Sequence, residues 1–188
     1  MARARSPEKH AAILEAAVRE IAKSGLGAAT AKIARRAGVA EGTLFTYFAN
    51  KEELLNELYL ELKGEVYTRI NADFPHKGAL ERRARHVWLT YLDWAIEFPM
   101  NRKASVLLNV SDLITADTRA RAAIGRELID AALTELEGRG PLKGLPAGFA
   151  AATMSAMQES TMDFIAKYPK LRKELTERGF AMLWRAVR

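Results

Sequence analysis

The chain has no cysteine in its 188 residues. That removes disulfides, thiolate nucleophiles and thiolate zinc sites together, and it suits a reducing, intracellular setting. Glycine and proline are sparse at 12 and 6 residues, and valine plus isoleucine number 16 against 33 alanines and 22 leucines. Alanine and leucine are strong helix formers, so the composition predicts an all-helical fold. No stretch approaches the roughly 18 consecutive apolar residues that a membrane span requires. The basic start, Met1 to Lys9, runs into AAILEAAV, where Glu15 interrupts any secretory hydrophobic segment. A cytoplasmic protein with no membrane partner is expected.

Apolar residues make up 49% of the chain and charged residues 28%, which is the balance of a folded globular protein. A chain of this length buries about 70% of the surface its unfolded form exposes, so it needs no staple. The net charge is +6 and it is unevenly spread. Residues 1–51 hold nine Lys/Arg against four Asp/Glu, whereas residues 52–188 hold twenty against nineteen. A basic head on a neutral body is either a polyanion-binding surface or a solvated one.

Ser6-Pro7-Glu8 places a capping hydroxyl, a first-turn proline and an acid at the positive end of a helix that runs to Ser24-Gly25. Short helices follow over about 29–37, stopped by Gly38, and about 40–48. Asn50 with Glu53 three residues later is a capping-box variant that opens a long helix along Leu54, Leu58, Leu62 and Val66. Breaks at Pro75, Pro99, Pro169 and in the glycine-rich stretch from Gly138 to Gly148 divide the remainder into helices at about 50–73, 78–98, 101–115, 117–137, 146–167 and 169–187. About nine helices are expected in all. Within this scheme Thr115-Ala116-Asp117 either caps a new helix or lies inside a kink.

The informative segment is TAKIARRAGVAEGTLFTYFANKEELL, Thr30 to Leu55. Ile33, Ala34 and Ala37 bury one side of a short helix, Gly38 permits a left-handed turn, and Leu44 and Phe48 bury the next helix. Small residues at the crossing and glycine in a short turn are the pattern of a helix-turn-helix. The second helix then shows solvent a face of Glu41, Thr43, Phe45, Thr46 and Tyr47, which can enter a major groove.

This segment resembles the DNA-binding motif of the TetR/AcrR family of bacterial repressors, in which an IA..AGV turn precedes a recognition helix ending in an aromatic pair and then a Lys-Glu-Glu-Leu-Leu helix start. The resemblance implies a helix-turn-helix DNA-binding domain over residues 1–49 and a helical ligand-binding and dimerisation domain over 50–188. It assigns Thr30, Thr43, Tyr47 and Lys51 to phosphate, and Glu41, Gly42, Phe45 and Thr46 to the groove. Thr30 is alternatively a helix N-cap, and Lys51 merely the start of the next helix. Lys32, Arg35 and Arg36 lie on the helix that crosses the backbone in this motif, which brings them toward phosphate. Arg3 and Arg5 either reach a neighbouring minor groove or stay solvated. Three positions depart from the family pattern. Phe45 lacks the hydroxyl of the usual tyrosine, Ala40 lacks a capping side chain, and Glu41 is an acid that either accepts from cytosine N4 or favours its helix N-terminus.

One recognition helix reads few base pairs, so a symmetric partner is required. Residues 146–187 carry apolar residues on two faces: Phe149, Ala156 and Phe164 on one, Met154, Met157 and Ile165 on another, with Met182 and Ala186 beside Phe180 and Val187 on the last helix. One face serves the core and one a homodimer interface. The family's middle helices enclose a small-molecule pocket. Here Trp88, Tyr91 and Trp94 on one helix, Asn109 and Asp112 on the next, and Met157, Gln158 and Thr161 on a third either line such a cavity or form plain core.

No catalytic or metal site is expected, because His10, His76 and His86 are scattered and no phosphate loop, serine elbow or paired-acid motif occurs. No cofactor is called for. The sequence therefore points to a double-stranded-DNA-binding transcriptional regulator, a repressor released from a palindromic operator by a small, largely apolar effector of unknown identity. The alternative is a DNA-binding protein with no small-molecule effector, controlled by a protein partner or acting structurally.

Overall fold

A computed structural model describes residues 6–188, in which ten α-helices and two 3-10 turns alternate and no strand occurs among the described residues. The helices are α1 (Pro7–Ser24), α2 (Thr30–Arg36), α3 (Glu41–Tyr47), α4 (Lys51–Ala72), α5 (Leu80–Glu97), α6 (Pro99–Asn109), α7 (Ala116–Ala122), α8 (Glu127–Glu137), α9 (Phe149–Lys167) and α10 (Arg172–Val187). The expected helix at 117–137 is in fact two. Gly125 sits between them in the left-handed region at φ 93, a conformation that ends a helix. The expected helix at 101–115 starts instead at Pro99 in its first turn and stops at Asn109. The two 3-10 turns, Gly140–Leu142 and Pro169–Leu171, take up the remaining difference in register.

The chain forms two compact units. One comprises the segment up to Glu65 together with Phe98–Ala123, and the other Val66–Glu97 together with Ile124–Arg188. In the first, the Ser6 hydroxyl accepts from the Lys9 amide at 3.3 Å and Pro7 occupies the first turn of α1. Ile13, Ala17 and Ile21 of α1, Ile33 of α2, Leu44 of α3 and Leu54 and Leu55 of α4 are completely or almost completely buried together. Each large aliphatic buried in this way contributes about 1.5–3 kcal/mol relative to an exposed one. Asn50 accepts from the Glu53 amide at 2.8 Å, and the Glu53 carboxylate reaches back to the Ala49 amide, closing the expected capping box one residue further out. Asn56 pins the segment after α6. Its amide donates to the Leu113 carbonyl at 2.9 Å and its oxygen accepts from the Thr115 amide at 3.0 Å, while Thr115 caps α7 through the Thr118 amide at 3.1 Å.

In the second unit α5, α8, α9 and α10 surround a core of Trp88, Leu92, Trp94, Leu136, Met154, Met162, Phe180 and Leu183. The indole of Trp88 donates to the Thr176 carbonyl at 3.1 Å. The Glu137 carboxylate accepts from the Gly148 and Ala150 amides at 2.8 and 3.2 Å, so an acid from α8 satisfies the start of α9, where the cap residue is a glycine. Of the two apolar faces expected on residues 146–187, one is buried through Met154, Ile165, Phe180 and Val187. The other, with Phe149, Phe164 and Met182, is exposed.

Candidate nucleic-acid interface

The turn between α2 and α3 is set by backbone chemistry. Gly38 adopts φ 71, its amide bonds the Arg35 carbonyl at 3.2 Å and the Val39 amide bonds the Ala34 carbonyl at 3.0 Å. This Schellman arrangement closes α2 and turns the chain sharply. Ala29 and Ala40 occupy the N-cap positions of α2 and α3 and supply no side-chain bond, as expected for Ala40. Thr30 is therefore the first helical residue of α2, which corrects the N-cap alternative for it.

With Leu44 and Phe48 turned inward, α3 exposes Glu41, Gly42, Phe45 and Thr46 and leaves Thr43 half-buried. Phe45 is 42% exposed, an unusual position for a bare phenyl ring. The Thr46 hydroxyl donates to the Gly42 carbonyl at 3.1 Å, which leaves its oxygen only as an acceptor. The Thr30 hydroxyl donates to the Glu41 carboxylate at 2.5 Å, tying the start of α2 to the start of α3. Tyr47 departs from the outward orientation expected of it. Its side chain is buried at 8% exposure beside His10, with ring centroids 6.4 Å apart, and its oxygen accepts from the Ser6 amide at 2.9 Å. The reason is periodic: on a seven-residue helix Tyr47 follows Leu44 by three positions and shares its inner face.

Lys32 and Arg35 are exposed on α2, and Lys51 is half-buried at the first position of α4. A cation there opposes the helix dipole, and Glu52 and Glu53 behind it offset the cost. Arg36 is committed to Glu20 of α1 at 2.6 Å, and its guanidinium holds the Glu20 carboxyl below the usual carboxylate range. Lys23, Lys32, Arg35 and Arg36 line a groove of about 450 Å³ with Glu20 and Ser24. Lys23 and Glu20 were missed in the sequence. The available signal was that Glu20 follows Ile13 and Ala17 at helical spacing on an otherwise apolar face, where only a paired acid is stable. Arg3 and Arg5 lie outside the described residues.

The expected effector residues fall in both units. Trp88 and Trp94 are fully buried, Tyr91 lies 5.8 Å from Trp94 between ring centroids and donates its hydroxyl to Glu159, and Met157 and Thr161 are half-buried on α9. Trp88 and Thr161 converge on Gly179, where a Cβ would lie 2.9 Å from the indole and 3.0 Å from the hydroxyl. Asn109 and Asp112 belong to the other unit and are exposed, with Asn109 accepting from Tyr59 at 3.4 Å. Among the described residues no group of three or more His, Asp or Glu side chains could hold a metal ion, and no helix is long and apolar enough to cross a membrane.

Residues 13–58 match the sequence profile of the bacterial regulatory proteins of the tetR family. The Fatty acid metabolism regulator protein of Bacillus subtilis (strain 168) is 38% identical over 76 residues, which cover 40% of this chain and 39% of that protein. The match thus spans about two fifths of that relative's length. A solved tetR family transcription regulator from Shewanella sp. PV-4 superposes with a TM-score of 0.83 at 28% identity, covering 97% of this chain and 98% of the other. The regulator FadR from Bacillus subtilis in complex with stearoyl-CoA has a TM-score of 0.71 at 24% identity, covering 93% and 97%.

Proposed function

The chain belongs to the TetR family of bacterial regulatory proteins, and from that premise we propose that it is a sequence-specific DNA-binding transcriptional regulator: a cytoplasmic repressor released from a palindromic operator by a small, largely apolar ligand. The observation that carries this reading is the short α3, anchored by Leu44 and Phe48, with Gly42, Phe45 and Thr46 exposed on it and the cations of α2 beside it. The division of labour follows residues 1–49 for DNA and 50–188 for effector and partner.

In this reading α3 enters the major groove. Gly42 lets the backbone approach closely, and Phe45 and the Thr46 methyl meet thymine methyl groups or sugar. Thr43, Lys51, Lys32 and the Tyr47 hydroxyl address phosphate. Tyr47 retains its own hydroxyl hydrogen after accepting from Ser6, so the buried ring orients a donor at the rim of the head. Glu41 reads a base with Thr30 fixing its carboxylate, and Glu41→Ala then changes the preferred base at one position per half-site.

The exposed apolar residues of α9 and α10, among them Phe164 at 52% and Met182 at 63% exposure, form the homodimer interface through residues 146–187. Symmetric pairing sets two heads on one duplex. A protein of this fold is held with stearoyl-CoA, which supports a ligand in the body. The complete burial of Trp88, whose indole is already paired with the Thr176 carbonyl, favours the second reading, a DNA-binding protein without an effector.

Selection of bound sequences from a random duplex pool tests the proposal. A two-fold symmetric consensus with half-sites a helical turn or its multiple apart is expected. A pool that shows no enrichment over its starting composition removes the DNA reading.

A further inference from the structure

Resting on the effector reading above, we infer that the interior of the unit formed by Val66–Glu97 and Ile124–Arg188 takes up an apolar molecule carrying an uncharged carbonyl, with the Trp94 indole and the Gln158 amide as its two hydrogen-bond donors. The inward stripe of α9 is Ala150, Met154, Gln158, Met162 and Ile165, so Gln158 is the one polar residue on it. It is 6% exposed and its Nε2 has no hydrogen-bond partner. Trp94 on α5 is completely buried and its Nε1 has none either. Leaving a buried donor unpaired is costly, and folded proteins rarely tolerate it. The same helix shows the ordinary solution, since the buried Trp88 indole donates to the Thr176 carbonyl at 3.1 Å.

In the side-chain positions found, the two nitrogens cannot satisfy each other, because an indole N–H and an amide NH₂ both donate; only a turned-over Gln158 amide would offer Trp94 an acceptor. Both ask for an acceptor. Tyr91 connects the two positions: its ring lies tilted against Trp94 with centroids 5.8 Å apart, and its hydroxyl donates to Glu159, the residue after Gln158. Two neutral donors in a buried apolar setting favour an uncharged acceptor over a carboxylate, whose charge burial would penalise. Met154 and Met162 flank Gln158 along the stripe, and unbranched thioether side chains repack around an entering apolar body more readily than Leu or Ile.

The test uses the full chain and three near-isosteric probes: acetophenone, ethylbenzene and benzoate. By calorimetric titration acetophenone is expected to bind roughly tenfold more tightly than ethylbenzene, the worth of about two modest hydrogen bonds, and benzoate no better than ethylbenzene. In ¹⁵N spectra acetophenone moves the Trp94 indole resonance, identified by its loss in Trp94→Phe. In Gln158→Leu and Trp94→Phe the preference falls toward unity, and unliganded Gln158→Leu, which nearly keeps the side-chain volume, unfolds at a temperature equal to or above that of the parent. Equal binding of acetophenone and ethylbenzene, no binding of either, or a lowered unfolding temperature in Gln158→Leu overturns the inference; the last means that the Gln158 amide is already paired, with Trp94 or with a held water. An acetophenone preference that leaves operator affinity unchanged supports the site while removing the effector reading. Effector release that ignores both substitutions does the reverse.

Discussion

Replacing Tyr47 by phenylalanine removes one oxygen from a ring that stays buried. In the folded head that oxygen accepts from the Ser6 amide at 2.9 Å, so the substitution leaves an N–H at the start of α1 without its partner. A net hydrogen bond of this kind is worth about 0.5–1.5 kcal/mol, and because Ser6 is only half-buried, water recovers part of it; a loss of about 1 kcal/mol is the expected value. For a chain of this size that lowers the unfolding temperature by roughly 2–4 °C. The proposed function adds a second consequence. A hydroxyl that donates to phosphate makes a charge-assisted bond of about 1.5–3 kcal/mol, so affinity for duplex DNA falls by roughly tenfold or more. It falls equally for every sequence, since phosphate carries no base identity. Urea unfolding and fluorescence anisotropy with a panel of single-base-substituted duplexes read the two effects separately. An unchanged midpoint contradicts the Ser6 contact, and an affinity loss concentrated at one base position contradicts the assignment of Tyr47 to the backbone.

Leu44 is completely buried beneath α3, and Leu44→Ala is expected to cost about 2–5 kcal/mol by urea unfolding, a range in which the head loses its fixed recognition helix. Gly179→Ala places a Cβ 2.9 Å from the fully buried Trp88 ring, which has no room to yield, so the clash outweighs the helix propensity gained and the unfolding midpoint reports a net loss of about 1–2 kcal/mol. The Arg36 guanidinium lowers the folded pKa of Glu20, so this pair stabilises fully above the ordinary carboxylate pKa and ceases to do so as pH falls through the lowered value. Glu20→Gln should therefore lower the unfolding temperature near neutrality, with the difference from the parent shrinking below about pH 4.5; a difference that is constant down to pH 3 argues against the pair.

What was legible in the sequence is what local chemistry decides. Ser6-Pro7 starts α1, Gly38 turns α2 into α3, and Asn50 with Glu53 opens α4, because each signal acts within four residues of the groups it satisfies. The departures come from partners distant in the chain. Asn56 holds the segment after α6 from 57 positions away, and Ser6 and Tyr47 meet across 41. Gly125 is a case of a different kind. A lone glycine in a helical pattern is compatible with both continuation and a stop, and here it stops the helix in the left-handed region. The head site follows the same division: Leu44 and Phe48 are inward and Phe45 and Thr46 outward, as the helical period requires, whereas the pairings of Thr30 with Glu41 and of Arg36 with Glu20 depend on where α2 packs.

A cationic head that meets a polyanion in two symmetric copies makes binding depend steeply on salt. If each protomer neutralises about four phosphates, the logarithm of the association constant for a selected palindromic duplex falls with the logarithm of salt concentration at a slope of about −7. A slope near zero, with affinity indifferent to salt, contradicts it.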